Sequence, residues 1–313
     1  MVEAVPRVTK SPLVSIVAEG GGLRGAYVLG VMEALYKYFG LKRVDLLTGS
    51  SASIGTLVCY CSGQLFGDSG DITPAQKVWI EGVARSEFLS VKNILRGKPL
   101  MDIEYLIDHL FKKEIPLDVE RVKSSRMRLI VPLTNTATGK TEYFDNYSGV
   151  DIFTLLKACM AAPIINNRTI QIGNQHYVDG AFSDAFPIDV EGVRDSQKII
   201  IITKKEYRNP KDMRNNIFPL FARGFGASSS LYETLVKKEA DYTRRRKQID
   251  CLGRNGDIVL MPSVQFSKLG NTKENLTTSI RSGYEDTIKN EKLAKFIQAL
   301  HASEKSAFYF GSD

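Results

Sequence analysis

Apolar and polar positions along the 313-residue chain follow two rhythms. Short apolar runs bounded by turn-forming residues predict strands over Leu13–Glu19, Val44–Thr48, Arg126–Thr134 and Asp257–Pro262. Gln197–Thr203, QKIIIIT, is the most strand-like run, and its lack of alternation predicts burial on both faces. Elsewhere the apolar residues recur at helical spacing. Tyr27, Val31, Leu35 and Tyr38 make one stripe, and Ile54, Leu57, Val58 and Cys61 another that stops near Gly63. Helices are also expected over Pro74–Phe88, Asp102–Phe111, Asp151–Ala162 (stopped by Pro163), Ser228–Ile249 and Glu285–His301. Ser69-Gly70-Asp71 and the stretch around Gly97-Lys98-Pro99 read as loops. Thr141–Phe144 is expected to pair beside the Arg126 strand after the turn at Thr138-Gly139. Arg168–Ile172 and Gln175–Val178 flank Gly173-Asn174, a hairpin signal. Alternating strands and helices predict an α/β fold, with a mostly parallel central sheet and helices on both faces. No repeat or low-complexity linker divides the chain, so residues 1–313 are expected to form one α/β unit.

Composition narrows the class. The chain is 43% hydrophobic and 25% charged, ordinary for a globular protein with a full core. No apolar run reaches the ~18 residues of a spanning helix, and MVEAVPRVTK lacks the apolar centre of a secretory signal. Cys59, Cys61, Cys159 and Cys251 form no C-x-x-C pair, which suggests neither a zinc site nor a redox motif. Free thiols fit a reducing compartment, so a cytoplasmic location is expected.

The net charge of +7 is uneven: Lys204–Lys247 alone carries 12 basic and 5 acidic side chains. Thr243-Arg244-Arg245-Arg246-Lys247 suits a solvated helix face. The alternative is attraction to an anionic surface, and peripheral contact with an anionic membrane is the partner that alternative implies. Tyr207, Tyr232 and Tyr242 are scattered through the segment without an RNA-binding signature, so no nucleic acid is expected.

The candidate chemistry begins at Val44–Gly55, VDLLTGSSASIG. A strand, a tight turn at Gly49–Ser51 and a helix from Ala52 have the layout of a nucleophile elbow. Ser51 fits the centre of G-x-S-x-G, with Gly49 before it and Ser53 where the pattern has glycine. Serines also cap helices well, and the sequence leaves both readings open. Upstream, Gly20, Gly22 and Gly25 satisfy G-x-G-x-x-G between a strand and a helix. Asp45, the acid at the spacing of a ribose ligand, precedes Leu46-Leu47-Thr48 and so sits at the wrong edge of the sheet for a dinucleotide. The alternative is an oxyanion hole: consecutive glycines present backbone N–H groups to a developing charge, with Arg24 adding a positive one. A Ser-His-Asp triad needs a histidine, but His109, His176 and His301 are not placed by spacing to serve. Asp179, between a strand and Gly180, is either a turn residue or a carboxylate base acting directly on serine.

Together these residues carry a resemblance. Gly20-Gly21-Gly22-Leu23-Arg24-Gly25, then Gly49-Ser50-Ser51-Ala52-Ser53, then Tyr177-Val178-Asp179-Gly180-Ala181 resemble the three ordered motifs of patatin-like phospholipases. Leu155–Pro163, LLKACMAAP, is similar to the helix before the Asp-Gly segment of that family. The resemblance covers about Leu13–Val190, and it implies a catalytic core over 13–190, with 191–313 as the C-terminal part of the same unit. A bacterial member with little beyond the catalytic unit is expected. The family implies a patatin-like variant of the α/β-hydrolase type that cleaves carboxylic esters of lipids or phospholipids through an acyl-serine. Carried over, Ser51 is the nucleophile and Asp179 the base. The Gly20–Gly22 backbone with Arg24 binds the oxyanion, and Gly49 and Gly180 are the motif glycines. No metal or organic cofactor is implied. The departure is Ser53, which leaves a second reading: a catalytically inactive lipid-binding or scaffold protein on the same fold.

Overall fold

The computed structural model describes residues 13–65, 72–95, 99–162, 168–205 and 228–309. The expected loop at 69–71, Gly97-Lys98, the Pro163 stop and the part of the basic segment over 206–227 lie outside the described residues. The strands are β1 (Val14–Ala18), β2 (Leu46–Gly49), β3 (Arg128–Asn135), β4 (Thr141–Asp145), β5 (Ile170–Ile172), β6 (Gln175–Asp179), β7 (Gln197–Ile201) and β8 (Ile258–Leu260). They form one sheet of order β5-β6-β3-β2-β1-β7-β8, with β4 also paired to β3. From β3 to β8 the neighbours run parallel, while β4, β5 and β6 are antiparallel additions.

Alternation decides which helix each strand meets. Ile16, Leu47, Ile199 and Ile201 face the larger core, with helices α1 (Gly25–Lys37) and α2 (Ala52–Cys61). Val17, Leu46, Ile200 and Ile202 face a second cluster with Phe186 and Ile249. Helices thus cover both faces, as expected. The remaining helices are α3 (Pro74–Lys77), α4 (Val91–Leu95), α5 (Val119–Ser124), α6 (Ile152–Met160), α7 (Ser229–Arg254), α8 (Lys273–Ile288) and α9 (Glu291–Tyr309). Helix α1 is buried from Gly25 to Leu35, and it crosses α8 closely. A Cβ added at Gly30 would lie 1.8 Å from the Ile280 carbonyl oxygen, and one at Gly283 would lie 2.2 Å from that of Tyr27.

Several elements differ from the sequence expectation. The Pro74–Phe88 helix is a single turn capped by Thr73 and Gln76, which runs into a π-turn at Val78–Gly82. The Asp102–Phe111 helix is π-helical over Tyr105–Glu114. The expected last helix is two: Asn290 breaks it, its side chain accepting from the Leu293 N–H at 2.9 Å. The hairpin stands where expected, with Gly173 at φ 58° in its turn.

One topological detail positions the site. Ile130 of β3 pairs with Thr48 of β2 and with Asp145 of β4; Leu133 pairs with Asp179 of β6 and with Glu142 of β4. A strand has two edges, so β4 takes one and β2 and β6 share the other. Strand β2 is parallel to β3 and β6 antiparallel, so their C-terminal ends point at each other across Val131-Pro132. A Cβ on Gly180 would sit 2.1 Å from the Pro132 carbonyl oxygen, which places that oxygen on the shared edge. The Pro132 nitrogen points the same way, into the gap between strand ends, where the missing N–H removes no ladder bond.

Candidate active site

Strand β2 ends at Gly49, whose hydrogen side is filled: an added Cβ would lie 2.5 Å from the Ala18 carbonyl oxygen. Ser51 then adopts φ 54°, ψ −137°, the one non-glycine residue at positive φ among the described residues. Such a backbone costs of order 1–3 kcal/mol and persists only where its surroundings enforce it. Ser51 occupies the N-cap of α2, yet its side chain makes no capping bond. The hydroxyl is therefore not spent on capping the helix. The same turn buries Ser50 and Ser53 completely.

Those two serines clamp the glycine loop. The peptide between Glu19 and Gly20 is held at both ends: Ser53 Oγ donates to the Glu19 carbonyl at 2.5 Å, and the Gly20 N–H donates to Ser50 Oγ at 2.9 Å. Ser50 passes its own proton to the Ala185 carbonyl at 3.1 Å. The Gly20 N–H, one of the three expected to face an oxyanion, is thus already engaged by the Ser50 hydroxyl. The next two peptides are held by their carbonyls. Thr203 Oγ1 donates to the Gly20 oxygen at 3.1 Å, and Arg24 Nε donates to that of Gly21 at 3.3 Å. In a trans peptide the N–H points opposite to the C=O. Thr203 and Arg24 therefore turn the Gly21 and Gly22 N–H groups away from themselves, and neither group donates a hydrogen bond among the described residues. Arg24 holds the loop and also lines the cavity.

Asp179 ends β6 and is 3% exposed. Burial raises its carboxyl above the ordinary value. Against this work the Ser51 hydroxyl, the Ala181 N–H at 2.9 Å, and the charges of Lys238 and Lys268. Gly180 follows because a side chain there would strike the β3 backbone. Asp45 accepts from the Val14 N–H at 2.8 Å, at the opposite edge of the sheet from the glycine loop. No histidine lines the cavity. His109 pairs with Glu114 at 3.3 Å, and His176 lies exposed on β6 near the Thr169 hydroxyl. Among the described residues no group of His, Cys, Asp or Glu is placed to hold a metal ion.

Ser51, Asp179, Gly20–Gly22 and Arg24 all line one cavity of about 780 Å³. This falls in the range of small-molecule sites. One wall is apolar, built by Val78, Trp79, Phe88, Met101, Leu106 and Phe111 from the larger core. Lys204, Lys238, Tyr242 and Lys268 also line the cavity. Burial above all, then Lys268, brings the Lys238 ammonium down to about 8.

The basic run is partly internal. Arg245 pairs with Asp189, and Arg246, 3% exposed, donates to the Lys204 carbonyl at 3.0 Å. Thr203, Lys238 and Lys268 were not singled out from sequence. Thr203 carried a signal as the polar residue closing the QKIIIIT run, and Lys238 as one of the basic residues of Lys204–Lys247.

Residues 16–191 match the model of a family described as patatin-like phospholipase. Over 200 residues the chain is 24% identical to the uncharacterized protein YjjU of Escherichia coli (strain K12), covering 61% of this chain and 51% of that one. It thus spans about half the length of the curated relative it matches. Among solved structures, VipD from Legionella pneumophila aligns with a TM-score of 0.53 at 14% identity, over 90% of this chain and 67% of that one. That likeness is one of fold. The type III effector protein ExoU aligns at 0.34 and 14% identity, over 89% of this chain and 53% of that one, too low a score to argue from. No helix among the described residues is long and apolar enough to cross a membrane.

Proposed function

The chain belongs to the patatin-like phospholipase family, and from that membership we propose that it is a lipid acyl hydrolase working through a Ser51–Asp179 dyad. Ser51 Oγ bonds to the acyl carbon of the ester as its proton passes to an Asp179 carboxylate oxygen. The carbonyl electron pair moves onto oxygen, where the Gly21 and Gly22 N–H groups receive it. Collapse breaks the bond to the alcohol, which leaves with the proton from Asp179. Water, giving its proton to the same carboxylate, then adds to the acyl carbon; the acyl–Oγ bond breaks, Asp179 returns the proton to Ser51 Oγ, and the fatty acid leaves. The acyl chain lies along the apolar wall.

One observation carries the reading: a hydroxyl on a strained turn, unused by its helix, in the same cavity as a buried carboxylate. The inactive reading rested on Ser53. Its hydroxyl finds the Glu19 carbonyl and joins Ser50 in clamping the loop, so the departure is compatible with an intact elbow.

A fluorophosphonate probe tests the choice. The folded protein should be labelled at Ser51, and Ser51→Ala should take no label. A folded wild type that stays unlabelled would establish the inactive reading instead.

Thr203 is a positioning residue in this scheme. Thr203→Val keeps the shape and the backbone N–H that donates to Glu19 Oε2 at 2.7 Å, but it frees the Gly20 carbonyl. An oxyanion donor acts mainly in the transition state, so kcat should fall about tenfold with KM little changed. Thr203→Ser should restore most of it. A change in KM alone would contradict this role.

The Lys204–Lys247 segment is proposed to draw the protein to anionic bilayers. Vesicle association should weaken as salt rises, since exposed charges are screened over about 10 Å at 0.1 M ionic strength. Equal binding to neutral vesicles would refute the attraction.

A further inference from the structure

A base must be ionised to take a proton, yet Asp179 is buried, and burial favours its neutral form. Helix α7 brings a cation to this site. Leu231, Leu235, Lys238 and Tyr242 are spaced four, three and four residues apart, which puts them on one face of the helix. The two leucines pack with Val178 and Phe182, which flank Asp179. The next position along that face is Lys238, whose ammonium lies 4.0 Å from the centre of the Phe182 ring. Phe182 belongs to the turn Gly180–Phe182 that Asp179 begins, and Lys238 and Asp179 line the same cavity. We propose that Lys238 is a positioning residue for the base: its positive charge, held over the Asp179 turn by α7, keeps the carboxylate ready for the Ser51 proton. The proposal rests on the hydrolase reading and gives the base of that reading its charge partner.

The placement is held from both ends. Ser228, the N-cap of α7, donates to the Thr136 carbonyl at 2.5 Å, and Thr234 donates to that of Gly139 at 2.9 Å. Both acceptors lie in the turn after β3, the strand whose Leu133 pairs with Asp179. One turn beyond Lys238, the Tyr242 hydroxyl donates to Glu19 at 2.8 Å, at the glycine loop. Lysine and carboxylate are thus referred to a common strand. The charges around the pair leave it intact. Lys268, whose carbonyl accepts from the Leu23 N–H at 3.1 Å, also favours the Asp179 carboxylate, though less than Lys238 does. Lys268 and Lys204 oppose the charge on Lys238, while Asp179 and Glu239 support it. Glu19 is engaged by the Thr203 N–H and the Tyr242 hydroxyl, and Arg24 Nε by the Gly21 carbonyl. Cys159 of α6 meets Asp179 as a neutral thiol, since burial and that carboxylate push it well above its ordinary value. When the Ser51 proton reaches Asp179, negative charge moves to the oxyanion in the same cavity, so Lys238 keeps a counter-charge through the step. With its own value at about 8, Lys238 loses its charge only where the carboxylate is ionised without help. Its effect therefore belongs to the acid limb.

The readout is the acid limb of kcat/KM on an uncharged short-chain ester, which reports the base of the free enzyme. Lys238→Met should move that limb up by about one pH unit, the low end of what a nearby opposite charge does, whatever happens to the height of the plateau. Lys238→Gln, a second neutral variant, should do the same, and Lys238→Arg should keep the limb near that of wild type. A lysine with a merely structural role would lower the whole profile and leave its midpoint in place. Carbon NMR of the Asp179 carboxyl, assigned by the resonance missing from Asp179→Asn, should show the same upward shift in the folded neutral variants without relying on turnover. An unmoved limb, or a limb that moves while the carboxyl midpoint stays, overturns the proposal and leaves the hydrolase reading standing. Absent cleavage together with absent fluorophosphonate labelling in wild type overturns that reading, and the role of Lys238 falls with it.

Discussion

Asp179→Asn is expected to lower kcat/KM on a soluble short-chain ester by about 10³-fold or more while leaving the thermal midpoint at or above that of wild type. The activity loss follows from chemistry: an amide oxygen is too weak a base to take the Ser51 proton. The stability effect follows from burial. The folded carboxyl titrates above its unfolded value because burial disfavours the charge. Between those two values the folded state binds more protons than the unfolded state, so stability falls as pH rises through that window. Above that window the protein carries the whole cost of the buried charge. Asparagine removes it and still offers an oxygen to the Ala181 N–H, now 2.9 Å from the carboxylate. In wild type the same shift places the acid limb of kcat/KM above the ordinary carboxylate range, near 4 for a free aspartate. Replacing His109, His176 and His301 together by glutamine should keep activity within about tenfold, since none of them lines the cavity. A folded His176→Gln variant without activity would restore a triad, and an Asp179→Asn variant that melts well below wild type would contradict the burial argument.

Gly30→Ala should destabilise the protein by about 3 kcal/mol, read as a lower urea midpoint with an unchanged slope. Two effects compete at this site. Alanine in a helix interior is worth about 1 kcal/mol over glycine by intrinsic propensity. Against it, the new methyl would stand 1.8 Å from the Ile280 carbonyl oxygen, on a backbone that cannot rotate away as a side chain does. Relief requires moving α8 off α1, and α1 begins directly after the glycine loop, so activity should fall with stability. Gly283→Ala, 2.2 Å from the Tyr27 carbonyl oxygen, should act in the same direction. A neutral or stabilising result at both positions would mean that the crossing is looser than described.

What the sequence made legible was local. Gly20–Gly25, the Ser51 turn and Asp179-Gly180 each declare themselves within a few residues, because a backbone that needs glycine leaves glycine behind. Elements set by distant partners were hidden. Helix α8 meets α1 through Gly30 and Gly283 rather than through large side chains, so it presents little periodicity, and only its end, Glu285–Ile288, fell within an expected helix. The π-turns at Val78–Gly82 and Tyr105–Glu114 keep roughly helical spacing and pass for ordinary helix. Thr203, Ser50 and Ser53 act on backbone atoms of the glycine loop, an assignment no side-chain pattern encodes. The arginine run looked like a choice between a solvated face and an anion-seeking one. Arg245 and Arg246 instead answer Asp189 and the Lys204 carbonyl inside the fold.

The end-to-end meeting of β2 and β6 on one edge of β3 makes that strand a ruler. From Ile130 to Leu133 is three steps of about 3.3 Å each, and that span alone fixes how far apart the two strand ends stand. The 76 positions between Ala52 and Met127 can lengthen or shorten in their loops without altering it, as can the stretch from Asn146 to Thr169. A single residue gained within Val131-Pro132 would both widen the gap and turn one strand end to the opposite face. Variation in length among related chains should therefore be generous on either side of β3 and absent within it.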